Sequence, residues 1–177
     1  THNQCSIIAD VLQKSGISTQ PRFSSFFQIK EIRDIISWSQ VVANGLYKET
    51  GFYRIIEQNS GYDTANKIYN YCNKKRPTSY SNLIENDKLL LNKYPKLLEI
   101  VSLVKSLRRS LAKRSASEVI WEIVTRINLL TEKSKKYTLD DHFVLLNVGN
   151  LLKRSQDFTK RNQIKSSLSS FNIYIES

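Results

Sequence analysis

At 177 residues, 40% of them hydrophobic and 24% charged, the chain has the length and apolar content for one full core or one large folded lobe. Its uninterrupted apolar runs are far shorter than a membrane span, and its polar first residues hold no apolar stretch of signal-peptide length. The expectation is therefore a cytoplasmic protein with no membrane partner. Net charge is +11 and unevenly spread: residues 61–115 hold twelve basic and four acidic groups, against six and five in residues 1–60 and nine and seven in residues 116–177. A localised basic excess is the electrostatic footprint of a polyanion partner, nucleic acid before others. There is no Met anywhere, which reads as a segment cut from a longer chain. Cys5 and Cys72 have neither metal spacing nor a disulfide framework around them, and read as small buried hydrophobes.

Taken in chain order, every strong periodicity is helical. Residues 3–15 place Ile7, Ile8, Val11 and Leu12 on one stripe, with Gly16 as the C-terminal stop. Ser18 to Phe27 reads as extended, since Pro21 blocks a helix. The aromatic pair Phe26 and Phe27 leads into a helix over 29–43, with Ile32, Ile35, Ile36, Trp38 and Val42 on its stripe and Glu31 and Asp34 in its first turns. It ends at Asn44-Gly45. A helix over 48–58 presents Phe52, Ile55 and Ile56, and Ser60-Gly61 interrupts it. The next runs from Asp63 to Lys75 with Ala65, Ile68, Tyr69 and Cys72 inward, and Arg76-Pro77 ends it.

A short helix is expected near 79–86. Pro95 opens a long one over 95–114, with Leu97, Leu98, Val101, Val104, Leu107 and Leu111 at three-to-four spacing. Ser115 and Glu118 have capping-box spacing and start a helix burying Val119, Ile120, Ile123, Val124 and Ile127. Thr138 and Asp141 cap the next, over 139–158, with Val144, Val148, Leu151, Leu152 and Phe158 on its stripe. A final piece over 167–176 uses Leu168, Phe171 and Ile175. The class is all-α, about eight helices in a single compact lobe.

No catalytic set is legible. A P-loop needs glycines at fixed spacing before Lys and Ser or Thr, so that unhindered amides cradle phosphates, and none of the five glycines fits. Asp140-Asp141-His142 sits at a predicted helix start, where it reads as a cap and dipole complement rather than a metal or acid–base site. Residues with a nucleic-acid reading are Lys67, Lys74, Lys75 and Arg76, and the series Lys105, Arg108, Arg109, Lys113 and Arg114. Arg109 and Lys113 fall on one helix face, which Lys105 extends by a turn. Gly61, before a helix N-terminus, is a candidate phosphate donor through its amide. Tyr62, Tyr69, Tyr71 and Tyr80 are interleaved with the first basic group. The competing reading is that the tyrosines pack the fold and the Lys74–Arg76 charges complement a helix C-terminus.

Several stretches resemble subdomain 2B of UvrD/Rep/PcrA-type superfamily-1 DNA helicases, in the expected order. Thr1-His2-Asn3-Gln4-Cys5-Ser6 with Leu12, Gly16 and Ile17 is similar to the segment just after motif IV of that family. Phe26–Asn44 resembles the opening helix of 2B. Ser115-Ala116-Ser117-Glu118 through Thr125, Leu146-Asn147 through Phe158, and Ser167 through Ile175 resemble three later helices. The resemblance implies a remnant of motor subdomain 2A over residues 1–20 and a 2B-like accessory domain over 21–177. It also implies a parent that is an ATP- and magnesium-dependent DNA-unwinding enzyme, with no cofactor and no catalysis in this fragment. Implied partners are duplex or single-strand/duplex junction DNA, the remaining helicase subdomains and a regulatory protein. One departure stands out: where the family carries a Gly-rich duplex-binding loop, this chain has Gly61-Tyr62-Asp63, an acid where phosphate would approach. Two other readings stay open, a helical protein–protein interaction module and a stand-alone nucleic-acid adaptor.

Overall fold

The computed structural model describes residues 11, 15, 26–109, 111–127, 138–162 and 167–176. Among them lie nine α-helices and no strand. They are α1 (Lys30–Val42), α2 (Lys48–Ser60), α3 (Tyr62–Lys75), α4 (Tyr80–Asn86), α5 (Lys88–Lys93), α6 (Pro95–Arg108), α7 (Ala116–Arg126), α8 (Leu139–Arg161) and α9 (Leu168–Glu176). Two 3-10 turns, Phe26–Gln28 and Leu111–Lys113, precede α1 and α7. The all-α class is thus the observed one. The expected helix over 3–15, the extended stretch before Phe26, Cys5 and the boundary near residue 20 lie outside the described residues, apart from Val11 and Ser15.

The hub is α1, which packs on α2, α6, α7, α8 and α9. Ile32, Ile35, Trp38, Val41 and Val42 are all buried, so its apolar residues face partners on more than one side. Each such burial contributes roughly 1.5–3 kcal/mol. Where α1 crosses α2, Gly51 brings the backbones together: a Cβ there would lie 2.9 Å from the Ser37 carbonyl oxygen and 3.0 Å from Val41 Cγ2. Phe26 and Phe27 meet edge to face at 5.1 Å before α1, and the Arg154 guanidinium of α8 lies 4.7 Å from the Phe26 ring centre. The aromatic lead-in to α1 is thereby clamped by α8. Ser39 Oγ of α1 donates to Asn172 Oδ1 of α9 at 2.7 Å within the core.

Both expected capping boxes form. Ser115 accepts from the Glu118 amide while the Glu118 carboxylate accepts from the Ser115 amide at 2.8 Å. That backbone hydrogen bond is the chief reason the Glu118 carboxyl titrates below its usual range. Thr138 and Asp141 make the reciprocal pair at α8, so Asp141, beside His142, belongs to the cap, and Asp140 lies in the first turn.

Three expectations about the helices need correcting. The helix opened by Pro95 stops at Arg108 rather than running to 114. Ser115 must be extended (φ −70°, ψ 160°) to cap α7, and the chain tightens into the 3-10 turn Leu111–Lys113 on the way. Leu98, expected inward on α6, is 46% exposed, and Ile100 is buried instead. The third correction adds α5, which has no readable period because Leu89-Leu90-Leu91 are consecutive. Its signal is Asp87, whose Oδ1 accepts from the Leu89 amide at 3.0 Å and the Leu90 amide at 3.1 Å.

Candidate nucleic-acid interface

Helix α3 buries Ala65, Ile68 and Cys72 and leaves Lys67, Asn70 and Lys74 exposed. Lys67 and Lys74 are seven residues apart, which puts them on one face about 10 Å apart along the axis. The helix closes at Arg76 in the left-handed region (φ 45°, ψ 54°), and Pro77 follows. Opposite α3 stands α5. Asp87 Oδ2 accepts from Tyr71 Oη at 2.9 Å and from Lys75 Nζ at 2.7 Å, so the residue that caps α5 also ties it to α3. The Lys75 hydrogen bond, joined by the Leu90 amide and Tyr71, holds the Asp87 carboxyl down to about 2. Lys75 is correspondingly pushed above the ordinary lysine range, chiefly by Asp87 and then by Tyr71.

Between the two helices runs a groove of about 420 Å³. Lys67, Asn70, Tyr71 and Lys74 form one wall, with Leu89, Leu90, Lys93 and Tyr94 forming the other. Among the described residues no carboxylate lines it. Lys93 Nζ lies 5.7 Å from the centre of the Tyr94 ring, and Lys75 Nζ lies 4.7 Å from that of Tyr71. Lys93 is the residue that sequence reading missed, because its helix was missed; the Asp87 cap was the signal available.

The structure sorts the basic residues of the middle third into two groups. Five are absorbed by the fold. Lys75 pairs with Asp87, and Lys96 Nζ donates to the Asn59 carbonyl at the end of α2 at 3.0 Å. Lys105 Nζ donates to the Glu85 carbonyl at 2.9 Å. Arg108 pairs with Glu85 at 2.7 Å and donates to the Val41 and Val42 carbonyls, capping the C-terminus of α1. Arg114 pairs with Glu122 and donates to the Glu118 carbonyl. By contrast Lys67, Lys74, Arg76, Lys88, Lys93, Arg109 and Lys113 have no ion pair or hydrogen bond from their side chains among the described residues.

The expected single face of Lys105, Arg109 and Lys113 is therefore not built. Arg109 is the C-cap of α6, Lys113 lies in the following 3-10 turn, and the Lys105 ammonium is engaged. Arg109 and Lys113 remain exposed. Gly61 also departs from its expected role. Its amide donates to the Glu57 carbonyl at 2.8 Å, closing α2, and so is not directed outward toward a phosphate. Its φ of 84° allows the chain to pass from α2 straight into α3. Gly61 sits about 20 Å from Lys74, at the other end of α3.

Most tyrosines pack the fold. Tyr69 stacks on Tyr80 at 5.7 Å, meets Tyr53 edge to face at 4.9 Å, and donates to the Glu49 carbonyl at 2.7 Å. Burial, then Glu49, raises the Tyr69 hydroxyl well above its ordinary value. Tyr80 Oη donates to Asn73 Oδ1, and Tyr62 is 62% exposed. Among the described tyrosines only Tyr71 and Tyr94 line the groove. Cys72 is fully buried and its thiol is pushed up to about 11, mainly by that burial, which leaves it unreactive at neutral pH. Among the described residues no cluster of His, Cys, Asp and Glu is arranged to hold a metal, and no helix is long and apolar enough to cross a membrane.

The fold and groove define an all-α polypeptide with a basic, partly aromatic cleft at one pair of helices. No protein-family model matches the chain, and comparison with curated proteins finds no significant match.

Proposed function

We propose that this chain is a nucleic-acid-binding accessory lobe that grips DNA through phosphates and performs no catalysis of its own. The observation that carries this reading is the division of the cations. Where the fold needs a positive charge it pairs one. Lys67, Lys74 and Lys93, by contrast, stand around one groove that no carboxylate among the described residues lines. Cations left without carboxylate partners around one concavity are available to a polyanion. Arg76, which closes α3, and Arg109 and Lys113, which follow α6, are further exposed cations.

On this reading the parent is a superfamily-1 DNA helicase, and the lobe contacts duplex or junction DNA beside the motor subdomains. ATP and magnesium chemistry belong to those other subdomains. The support is the order of the helices that resemble subdomain 2B. Phosphate contact by Gly61 is no part of the proposal.

Fluorescence anisotropy of the 177-residue chain against labelled duplex with a single-stranded tail tests it, at two salt concentrations. A log–log salt slope near −0.9 per phosphate neutralised is expected. Absence of binding at low salt, from a sample that is helical by circular dichroism, would remove the nucleic-acid reading. A second reading, docking by another protein, is favoured by Trp121, which lies 53% exposed on α7. It gains ground only in that event.

A further inference from the structure

We infer that the groove between α3 and α5 is a subsite for a single nucleic-acid strand, in which a base stacks on Tyr94 while Lys67, Lys74 and Lys93 hold the flanking phosphates. The inference rests on the reading of the chain as a nucleic-acid-binding lobe, and adds the form of nucleic acid that this site takes.

Shape is the first argument. The site is concave and about 420 Å³ in volume, within the range of roughly 300–1,000 Å³ typical of small-ligand clefts. A duplex presents its phosphates from a cylinder too broad to enter a cleft of this volume; an unstacked strand can enter it one or two nucleotides at a time.

Chemistry is the second. A surface that reads only duplex phosphates needs cations and little else. Here the cations alternate with apolar and aromatic groups. Leu89 is 75% exposed at the rim, Leu90 is buried beneath it, and the Tyr94 ring lies along the wall. Aromatic rings beside lysines are the combination that holds single strands, because every base has a face to stack and every nucleotide a phosphate to neutralise. Asn70, between the two lysines of α3, adds a donor and an acceptor for a base edge. An acidic peptide would meet the same charges. It would find few partners for its backbone amides and carbonyls in a groove whose neutral walls are mostly apolar.

The fold keeps the site in place. Asp87 fixes the spacing of the walls by capping α5 and accepting from Tyr71 and Lys75 of α3. Since the Tyr71 hydroxyl is engaged there, only its ring faces the groove.

The test uses the 177-residue chain, a labelled twelve-nucleotide thymidine oligomer and a blunt duplex. Tyr94→Ala should weaken single-strand binding at least about fivefold and leave duplex binding nearly unchanged. Leu89→Asp, at a position too exposed to endanger folding, should do the same and covers the case in which the Tyr94 variant fails to fold. Lys93→Glu should reduce the single-strand salt slope by about 0.7. Unchanged single-strand affinity in Leu89→Asp and Tyr94→Ala would overturn the subsite, while intact duplex binding would leave the proposed function standing. Binding to neither nucleic acid would remove both. Displacement of the oligomer by polyglutamate at equal charge, together with an insensitive Tyr94→Ala, would also overturn the subsite in favour of a charge-only surface.

Discussion

Asp87 and Lys75 form a 2.7 Å ion pair in which the carboxylate side chain is 7% exposed and the lysine 44%. The same carboxylate caps α5 through two backbone amides, so one side chain sets both the start of a helix and its distance from α3. Asp87 titrates at about 2 in the fold against an ordinary value of 3.8. A depressed carboxyl contributes stability that is fully present above its unfolded value and is lost as pH falls through its folded one. The urea midpoint of the wild-type chain should therefore fall between about pH 4 and pH 2, and Asp87→Asn should flatten that part of the profile. Asp87→Ala, which also removes the cap, should cost about 1–2 kcal/mol at neutral pH. Asp87→Asn should also tighten DNA binding at low salt, because it releases the Lys75 ammonium beside the groove.

Arg108 and Lys74 separate stability from binding. Arg108→Ala strands the Glu85 carboxylate and two α1 carbonyls, and should destabilise the chain by about 2–3 kcal/mol. Lys74→Glu should leave the thermal midpoint nearly unchanged while weakening DNA binding and reducing its salt slope by about 1. Paired melting curves and anisotropy titrations measure both. The opposite assignment of effects would mean that the cations have been sorted wrongly.

Gly51→Ala tests the crossing of α1 and α2. Helix propensity alone favours alanine by about 1 kcal/mol. The Ser37 carbonyl oxygen, a backbone atom, leaves no room for the methyl group, so we expect a net loss of about 1–2 kcal/mol and a larger one for Gly51→Val. A raised melting temperature for the alanine variant would refute the close approach.

Arg76→Gly should raise stability by about 0.5–1 kcal/mol, since residue 76 is left-handed and glycine adopts that backbone without a Cβ penalty. The same change should weaken DNA binding if Arg76 contributes to the basic surface. Calorimetry and anisotropy on one preparation decide the pair.

Position within the molecule can be checked with two charge reversals of equal size. Lys74→Glu with Lys93→Glu should weaken DNA binding far more than Lys153→Glu with Lys160→Glu on α8. Equal losses would argue for diffuse attraction by net charge rather than a located site.

The sequence by itself determined the helical class, most helix starts and the main inward stripes, because caps, prolines and the 3.6-residue period act within one turn or one face. Ser115 with Glu118 and Thr138 with Asp141 were legible for that reason: their partners are three residues away. It also placed the basic excess in the middle third and marked Lys67 and Lys74. Tertiary structure decided what those charges do. Arg108 and Lys105 looked the same as Lys74 in sequence, yet they are engaged by the Glu85 side chain and by carbonyls at least 20 residues away, partners that no local pattern reveals. Gly61 looked like a phosphate donor until its amide was seen to close α2. Lys93 joined the groove only because Asp87, reaching from one helix to the next, sets α5 against α3. Charge is a property of composition, whereas its availability depends on which carboxylates and carbonyls the packed fold brings within about 3 Å.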